Sequence, residues 1–165
     1  MMPRLVLIRH AKSGWDDPCL TDHQRPLAPR GQEAAPKIGA WLAAQGVMPD
    51  EVLCSDACRT RQSWDLIAPH LGDVVPALVP ALYHAGPDVI LRHLRGATGQ
   101  CVVIVGHNPG IGEFAGMILR TLPDHAAFAA YPTAATLIAD LPGDGWGAAS
   151  YGSATPVAFT VPRDL

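Results

Sequence analysis

The stretch Leu5-Val6-Leu7-Ile8-Arg9-His10 decides the fold of this chain. Four consecutive aliphatic residues are typical of a strand buried on both faces, since a half-exposed strand would alternate apolar and polar residues. Two polar, titratable side chains follow at the point where this predicted strand ends. The same arrangement recurs in Val102-Val103-Ile104-Val105-Gly106-His107. Ligands of open α/β sheets bind outside the carboxyl ends of the strands, so the two histidines are expected to face one another across a crevice.

Short β-like runs alternate with longer helical patterns along the whole chain. Strands are predicted at residues 5–8, 51–54, 74–79, 101–105, 133–141 and 157–161, and helices at residues 29–45, 57–71, 87–94 and 110–122. Pro36 removes a backbone hydrogen bond from the first helix, which predicts a bend or a separate first turn. The alternation predicts an α/β protein, a three-layer α/β/α sandwich with a mostly parallel central sheet and late antiparallel strands. No composition break divides residues 1–165, so one domain is expected.

Composition and charge exclude several classes of protein. Twelve basic and fifteen acidic residues give a net charge of −3 without charged blocks, which disfavours nucleic-acid binding through the overall field. No apolar run reaches the roughly 18 residues that span a bilayer. The first residues pass directly into the predicted strand and leave no room for a signal segment. We therefore expect a cytoplasmic protein with neither a nucleic-acid nor a membrane partner.

The cysteines and glycines do not indicate a bound metal or cofactor. Neither a paired C-x-x-C spacing nor an H-E-x-x-H motif occurs, so no zinc site is predicted and free thiols are expected. The glycines beside His107 have the spacing of neither a P-loop nor a dinucleotide-binding turn. The four cysteines are Cys19, Cys54, Cys58 and Cys101.

Another positively charged residue, Arg59, follows the second predicted strand. Ser55 or Asp56 suits the N-cap of the next helix, which places Arg59 in its first turn, where the helix dipole disfavours a cation. An anion bound at the same helix end would explain an arginine there. Arg61, two positions further on, points elsewhere and is expected to be a surface residue. Asn108 is likewise expected to cap the helix after the last buried strand.

Together these residues predict phosphoryl transfer. The planar guanidinium groups of Arg9 and Arg59 match the oxygens of a dianionic phosphoryl group and keep their charge. A neutral imidazole between them can attack phosphorus, and a second one can donate to an oxygen in the transition state. The alternative for each histidine is that it only closes its strand, which the matching positions of His10 and His107 disfavour.

Four motifs resemble those of the histidine phosphatase superfamily, branch 1, and they occur in the same order. Arg9-His10-Ala11-Lys12-Ser13 resembles the Arg-His-Gly signature, with alanine in place of glycine, and looks like the branch of small phosphohistidine phosphatases typified by SixA. The resemblance implies a phosphoglycerate-mutase-like fold, His10 as the nucleophile, Arg9 and Arg59 as phosphate ligands and His107 as the second pocket histidine. The other three motifs are Asp22-His23-Gln24-Arg25-Pro26-Leu27 with Arg30-Gly31 after it, residues 55–63, and Val105-Gly106-His107-Asn108-Pro109.

The sequence leaves the general acid and the rim of the pocket open. Larger relatives carry a glutamate after the third strand, but residues 82–88 contain none, so His84, Asp88 or no residue takes that role. The competing interpretation of His84 is an ordinary loop histidine. Lys12, Ser13 and Arg25 are further candidates for substrate binding, against the alternative that they are surface polar groups or brace the first loop.

The missing glutamate bears on the substrate. An alkoxide leaving group needs protonation, whereas imidazole, with a conjugate-acid pKa of roughly 6.5, leaves more easily. We therefore expect a metal-independent phosphatase acting on phosphohistidine in a protein. The alternatives are a small-molecule phosphomonoesterase or mutase acting on small phosphate esters, and a non-catalytic domain that binds a phosphorylated ligand.

Overall fold

The computed structural model describes residues 2–165 and contains one six-stranded sheet with four α-helices. The strands are β1 (Arg4–Arg9), β2 (Glu51–Cys54), β3 (Ala77–Leu78), β4 (Cys101–Gly106), β5 (Thr136–Asp140) and β6 (Thr155–Thr160). The helices are α1 (Pro29–Ala44), α2 (Cys58–Ile67), α3 (Pro87–Arg95) and α4 (Gly110–Ile118).

The sheet is mostly parallel, as the sequence predicts. Its strand order is β3-β2-β4-β1-β5-β6, and the pairs β3–β2, β2–β4 and β4–β1 are parallel. β5 runs antiparallel to β1, and β6 runs antiparallel to β5. The late antiparallel strands are therefore confirmed, although β5 pairs with the central strand β1 and only β6 lies at the edge.

The aliphatic run in β1 supplies both faces of the core. Leu5 and Leu7 pack in one cluster with residues of α3 and α4, whereas Val6 and Ile8 pack in the other with residues of α1 and α2. All four side chains are fully buried, because side chains alternate between the faces of a sheet whose two faces are both covered by helices. The three-layer α/β/α arrangement is confirmed.

Three elements are shorter in the structure than the sequence predicts. β3 contains two residues instead of six, because Pro76 lacks the N–H of a regular ladder and the strand lies at the sheet edge, where Val75 is 85% exposed. α2 ends at Ile67 and continues as a short 3-10 turn that contains Pro69. α4 ends at Ile118, where the chain turns to an extended conformation.

Pro36 neither ends α1 nor separates its first turn, since the helix continues from Pro29 to Ala44. No helix within residues 2–165 has the length and apolarity needed to cross a membrane.

Candidate active site

The carboxyl ends of three neighbouring parallel strands place polar side chains at one edge of the sheet. His10 follows β1, Ser55 follows β2 and His107 follows β4. The imidazole ring centroids of His10 and His107 lie 5.3 Å apart, and both rings are buried. The two histidines therefore line one crevice, although 97 positions separate them in the sequence.

The backbone fixes the tautomer of His10. Its Nδ1 lies 2.7 Å from the carbonyl oxygen of Ala11, and because a carbonyl only accepts, Nδ1 carries the proton. The neutral ring therefore keeps its lone pair on Nε2. Burial first, and then the charges of Arg59 and Arg9, lower the pKa of His10 to about 4 against the opposing effect of the Ala11 carbonyl. The ring is neutral near pH 7 and chemically able to act as a nucleophile.

His107 is held by Ser55. Its Nε2 lies 2.7 Å from the buried hydroxyl of Ser55, which also accepts a hydrogen bond from the backbone N–H of Ala57. Within residues 2–165 the hydroxyl proton of Ser55 has no other acceptor, so it is directed to Nε2 and the ring proton belongs on Nδ1. Burial, followed by the nearby His10 and Arg59, lowers the pKa of His107 to about 3. This ring is also neutral at pH 7.

Arg59 lies in the first turn of α2, and Asp22 holds it there. Its Nη1 donates to the backbone oxygen of Asp22 at 2.7 Å, and its Nη2 donates to Oδ2 of the same residue at 3.1 Å. Asp22 also accepts from the hydroxyl of Tyr83 and from Nε of Arg25. These contacts, that of Tyr83 first, hold the pKa of Asp22 well below its usual range. One carboxylate thus orients the guanidinium of Arg59.

Arg9, at the end of β1, provides the second guanidinium. Its Nη1 donates to the backbone oxygen of Tyr131 at 3.3 Å, and the side chain is partly buried. Burial, followed by the charge of Arg59, lowers the pKa of Arg9.

Three buried polar atoms of this cluster have no hydrogen-bond partner within residues 2–165. They are Nε of Arg9, Nε of Arg59 and Nδ1 of His107. A buried donor without a partner costs about 1–3 kcal/mol, and most such groups in folded proteins are satisfied. All three unsatisfied groups belong to residues selected from the sequence, and all three are donors. The arrangement suits an anion with several oxygen acceptors, such as a phosphoryl group.

The candidate rim residues occupy different surroundings. Arg25 is buried and donates to Asp22 and to the hydroxyl of Ser13, so both Ser13 and Arg25 brace the first loop. Lys12 is exposed and lines a neighbouring groove.

The two candidate acids after β3, His84 and Asp88, also differ in their surroundings. His84 is exposed, stacks on Tyr83 with ring centroids 4.0 Å apart, and lines a cavity of about 180 Å³ together with His107. Asp88 lies in the first turn of α3 and accepts a hydrogen bond from the hydroxyl of Tyr151. It is not among the residues that line this cavity.

Two expectations about helix caps are wrong. Ala57 occupies the N-cap of α2, so the hydroxyl of Ser55 is available to His107. Pro109 occupies the N-cap of α4, and the side-chain oxygen of Asn108 accepts from the N–H of Gly112 instead. Arg61 lies on the exposed side of α2, where its Nε donates to a backbone oxygen, as expected of a surface arginine.

Sequence reasoning missed three contacts around the pocket. It treated Ser55 as a helix cap and Asp22 only as part of a motif, and it did not single out Tyr83. The available signal for Ser55 was its position, since it follows β2 as the two histidines follow β1 and β4. Asp22 and Tyr83 lie 61 positions apart, and no local pattern indicates their contact.

Known proteins are similar to this chain in both sequence and fold. A model of the histidine phosphatase superfamily (branch 1) matches residues 5–83. An uncharacterized protein of Mycobacterium tuberculosis is 35% identical over 164 residues, which cover 94% of this chain and 100% of the relative. The chain belongs to the histidine phosphatase superfamily, branch 1.

Solved structures of similar proteins place this chain in the phosphoglycerate-mutase-like fold. A structure from Nakamurella multipartitia, described as a candidate phosphohistidine phosphatase SixA, is 28% identical with a TM-score of 0.83 and covers 98% of this chain and 97% of its own. The protein histidine phosphatase SixA complexed with tungstate has a TM-score of 0.79 at 20% identity, covering 98% and 99% of the two chains.

Proposed function

We propose that this histidine phosphatase hydrolyses phosphohistidine on a protein through a phosphohistidine intermediate at His10, without requiring a metal ion. The observation that carries the proposal is the set of three buried, unpartnered donors on Arg9, Arg59 and His107 around a neutral imidazole. Two guanidinium groups supply positive charge for the phosphoryl oxygens, and Nδ1 of His107 supplies a neutral donor.

The first step transfers the phosphoryl group to the enzyme. Nε2 of His10 forms the new bond to phosphorus while the P–N bond of the substrate breaks, and the leaving ring takes the electron pair of that bond. When the other nitrogen of the substrate ring carries a proton, the ring departs as neutral imidazole. Nδ1 of His10 keeps its hydrogen bond to the Ala11 carbonyl oxygen, and this hydrogen bond stabilises the positive charge on the phosphorylated ring.

The second step returns His10 to its starting state. Water attacks phosphorus, the P–N bond to Nε2 breaks, and His10 recovers its lone pair while the water proton passes to solvent or to phosphate. Inorganic phosphate is the product. Neither step needs a strong acid, which agrees with the absence of a glutamate from residues 82–88 and with the place of Asp88 outside the cavity that His84 and His107 line.

Two observations favour a protein substrate: the descriptions of similar solved structures, and the short segment of this chain between α2 and β4. One similar structure is described as a candidate phosphohistidine phosphatase SixA and another as the protein histidine phosphatase SixA. Between α2 and β4 the chain forms only short turns, the two-residue strand β3 and α3, so this part adds no separate lid over the crevice. A phosphorylated side chain on a protein surface can therefore reach His10.

Trapping the intermediate tests the proposal. The enzyme is mixed with a ³²P-labelled phosphohistidine peptide and quenched in base, where phosphohistidine is stable. We expect acid-labile label on the wild type and on the control His93→Ala, which alters a histidine of α3 outside the cluster, and none on His10→Ala. Absence of label and of phosphate release from the wild type would favour the non-catalytic binding domain.

A substrate panel tests the specificity. Phosphohistidine peptide, phosphoserine peptide and a sugar phosphate are compared by kcat/KM at pH 7.5, and the phosphohistidine peptide should be preferred by at least about 10-fold, since each 1.4 kcal/mol of leaving-group advantage gives that factor. Faster cleavage of the sugar phosphate would instead indicate a small-molecule phosphomonoesterase.

A further inference from the structure

A basic groove lies beside the active site. We use this name for a cavity of about 450 Å³ whose charged lining residues are Lys12, Arg30, Lys37, Arg163 and Glu33, and which Thr133 also lines. Four of the twelve basic residues of the chain, including its only two lysines, line this cavity. In a chain of net charge −3, this concentration of positive charge is a local property of one surface.

The cations of the basic groove are unpaired. Within residues 2–165 the side chains of Lys12, Arg30, Lys37 and Arg163 make no hydrogen bond or ion pair, and all four are exposed. The carboxylate of Glu33 is likewise unpaired and offsets one of the four charges. The groove thus presents an excess of three positive charges to solvent.

Two lining residues of the basic groove adjoin the candidate active site through the backbone. Lys12 lies two residues after His10, and its backbone oxygen accepts from the N–H of Ala28 immediately before α1. Thr133 precedes Ala134, whose N–H donates to the backbone oxygen of His10 at 2.9 Å. The backbone therefore holds two lining residues of the groove, Lys12 and Thr133, close to His10.

The length of the basic groove suits a peptide better than a single small anion. Arg30, Glu33 and Lys37 share one face of α1, and the seven-residue separation of Arg30 and Lys37 corresponds to about 10 Å along the helix. About three residues of extended chain span that distance, so a peptide can contact both ends of the groove at once.

We propose that the basic groove binds an acidic segment of the protein that carries the phosphohistidine. This inference rests on the proposed function for the identity of the substrate. Carboxylates next to the phosphorylated histidine contact Lys12 and Arg30 first, and those about three residues further along contact Lys37 and Arg163. The groove thereby selects among phosphoproteins without touching the reacting atoms.

The test uses two phosphohistidine peptides of equal length, one with three glutamates on one side of the phosphohistidine and one with three glutamines there. For the wild type at low salt we expect a KM about 5- to 10-fold lower for the acidic peptide with equal kcat, the size that a few exposed ion pairs provide. Addition of 0.5 M NaCl should remove most of the difference.

A pair of charge-matched variants locates the effect. Lys37→Ala/Arg163→Ala should abolish the preference for the acidic peptide and leave the KM of the neutral peptide unchanged. The control Arg92→Ala/Arg120→Ala removes two exposed arginines elsewhere and should keep the preference. Equal KM values for both peptides in the wild type, or equal losses in both variants, would overturn the groove proposal.

A binding measurement separates this proposal from the catalytic one. Fluorescence anisotropy of a labelled, unphosphorylated acidic peptide measures binding to the groove without turnover. Hydrolysis of a small phosphoramidate measures the catalytic chemistry alone. Stronger competition by inorganic pyrophosphate than by the unlabelled acidic peptide would reassign the groove to small polyanions. An inactive enzyme that binds the acidic peptide through Lys37 and Arg163 would refute only the proposed function.

Discussion

At the scale of single residues, the hydroxyl of Ser55 determines which nitrogen of His107 faces the crevice. The hydroxyl proton is directed to Nε2, so the ring presents an N–H at Nδ1 to the space beside His10. The opposite tautomer would present a lone pair there and repel phosphoryl oxygens. Ser55 thus acts through His107 as a positioning residue.

Substitution Ser55→Ala should reduce kcat about 10-fold and change KM less, because the ring then samples the unfavourable tautomer. The ¹⁵N chemical shifts of His107 report the tautomer directly and should move toward an average of the two forms. Ser153→Ala, which changes an exposed serine that bonds only to the backbone, serves as the control. An unchanged kcat with unchanged ¹⁵N shifts would show that Ser55 does not set the tautomer.

Sequence alone identified residues whose position follows from local structure. Arg9, His10 and His107 end buried strands, and Arg59 lies in a first helical turn, so strand and helix patterns indicate where each lies. The contacts of Asp22 with Arg59 and Tyr83 span 37 and 61 positions and depend on the packing of loops, for which the sequence contains no periodic signal.

At the scale of elements, close backbone contact fixes the start of α4 behind His107. A Cβ added to Gly110 would lie 1.8 Å from the backbone oxygen of Ala85, in the loop that carries Tyr83 and His84. The opposing atom belongs to the backbone and cannot move aside by changing rotamer. Glycine at this position therefore allows α4 and the loop after β3 to form adjoining walls of the pocket.

Two glycines of the same helix provide a matched pair of substitutions. Gly110→Ala should lower the free energy of unfolding by more than about 2 kcal/mol, because backbone must be displaced. Gly116→Ala has open space around its new Cβ and should raise stability by about 0.5–1 kcal/mol through helix propensity. Urea denaturation measures both values, and equal effects of the two substitutions would contradict the packing argument.

The helices and central strands were predictable because periodicity and buried runs extend over many residues. The ends of β3, α2 and α4 were not, because each depends on tertiary surroundings as well as on local pattern. The apolar residues 74–79 resemble a strand, but the adjoining sheet edge pairs with only Ala77–Leu78. In the same way, Leu119 resembles a helical residue but forms a bridge with Ala154.

At the scale of the whole molecule, the active site makes stability depend on pH. His10 and His107 have folded-state pKa values of about 4 and about 3, below the value of roughly 6.5 expected in the unfolded chain. As pH falls below 6.5, the unfolded chain binds protons that the folded protein excludes. Stability is therefore highest above about pH 6.5 and decreases as pH falls toward 4.

Between pH 7 and pH 5 the two histidines together should reduce the free energy of unfolding by up to about 3 kcal/mol. The variant His10→Asn/His107→Asn should lose much less over the same range, even if its stability at pH 7 differs from that of the wild type. Urea denaturation of both proteins at the two pH values measures the difference. A variant with the same pH dependence as the wild type would show that these rings are not excluded from protonation.

The position of β1 in the sheet has a consequence for biosynthesis. β1 precedes the other strands of the sheet along the chain, and within residues 2–165 its partners are β4 and β5, which the ribosome makes after residue 100 and after residue 135. His10 emerges long before the partners that exclude water from it and supply its neighbouring donor. A nascent chain therefore exposes the imidazole of His10 before these partners exist, and the pocket around it is complete only once β4 and β5 have been made.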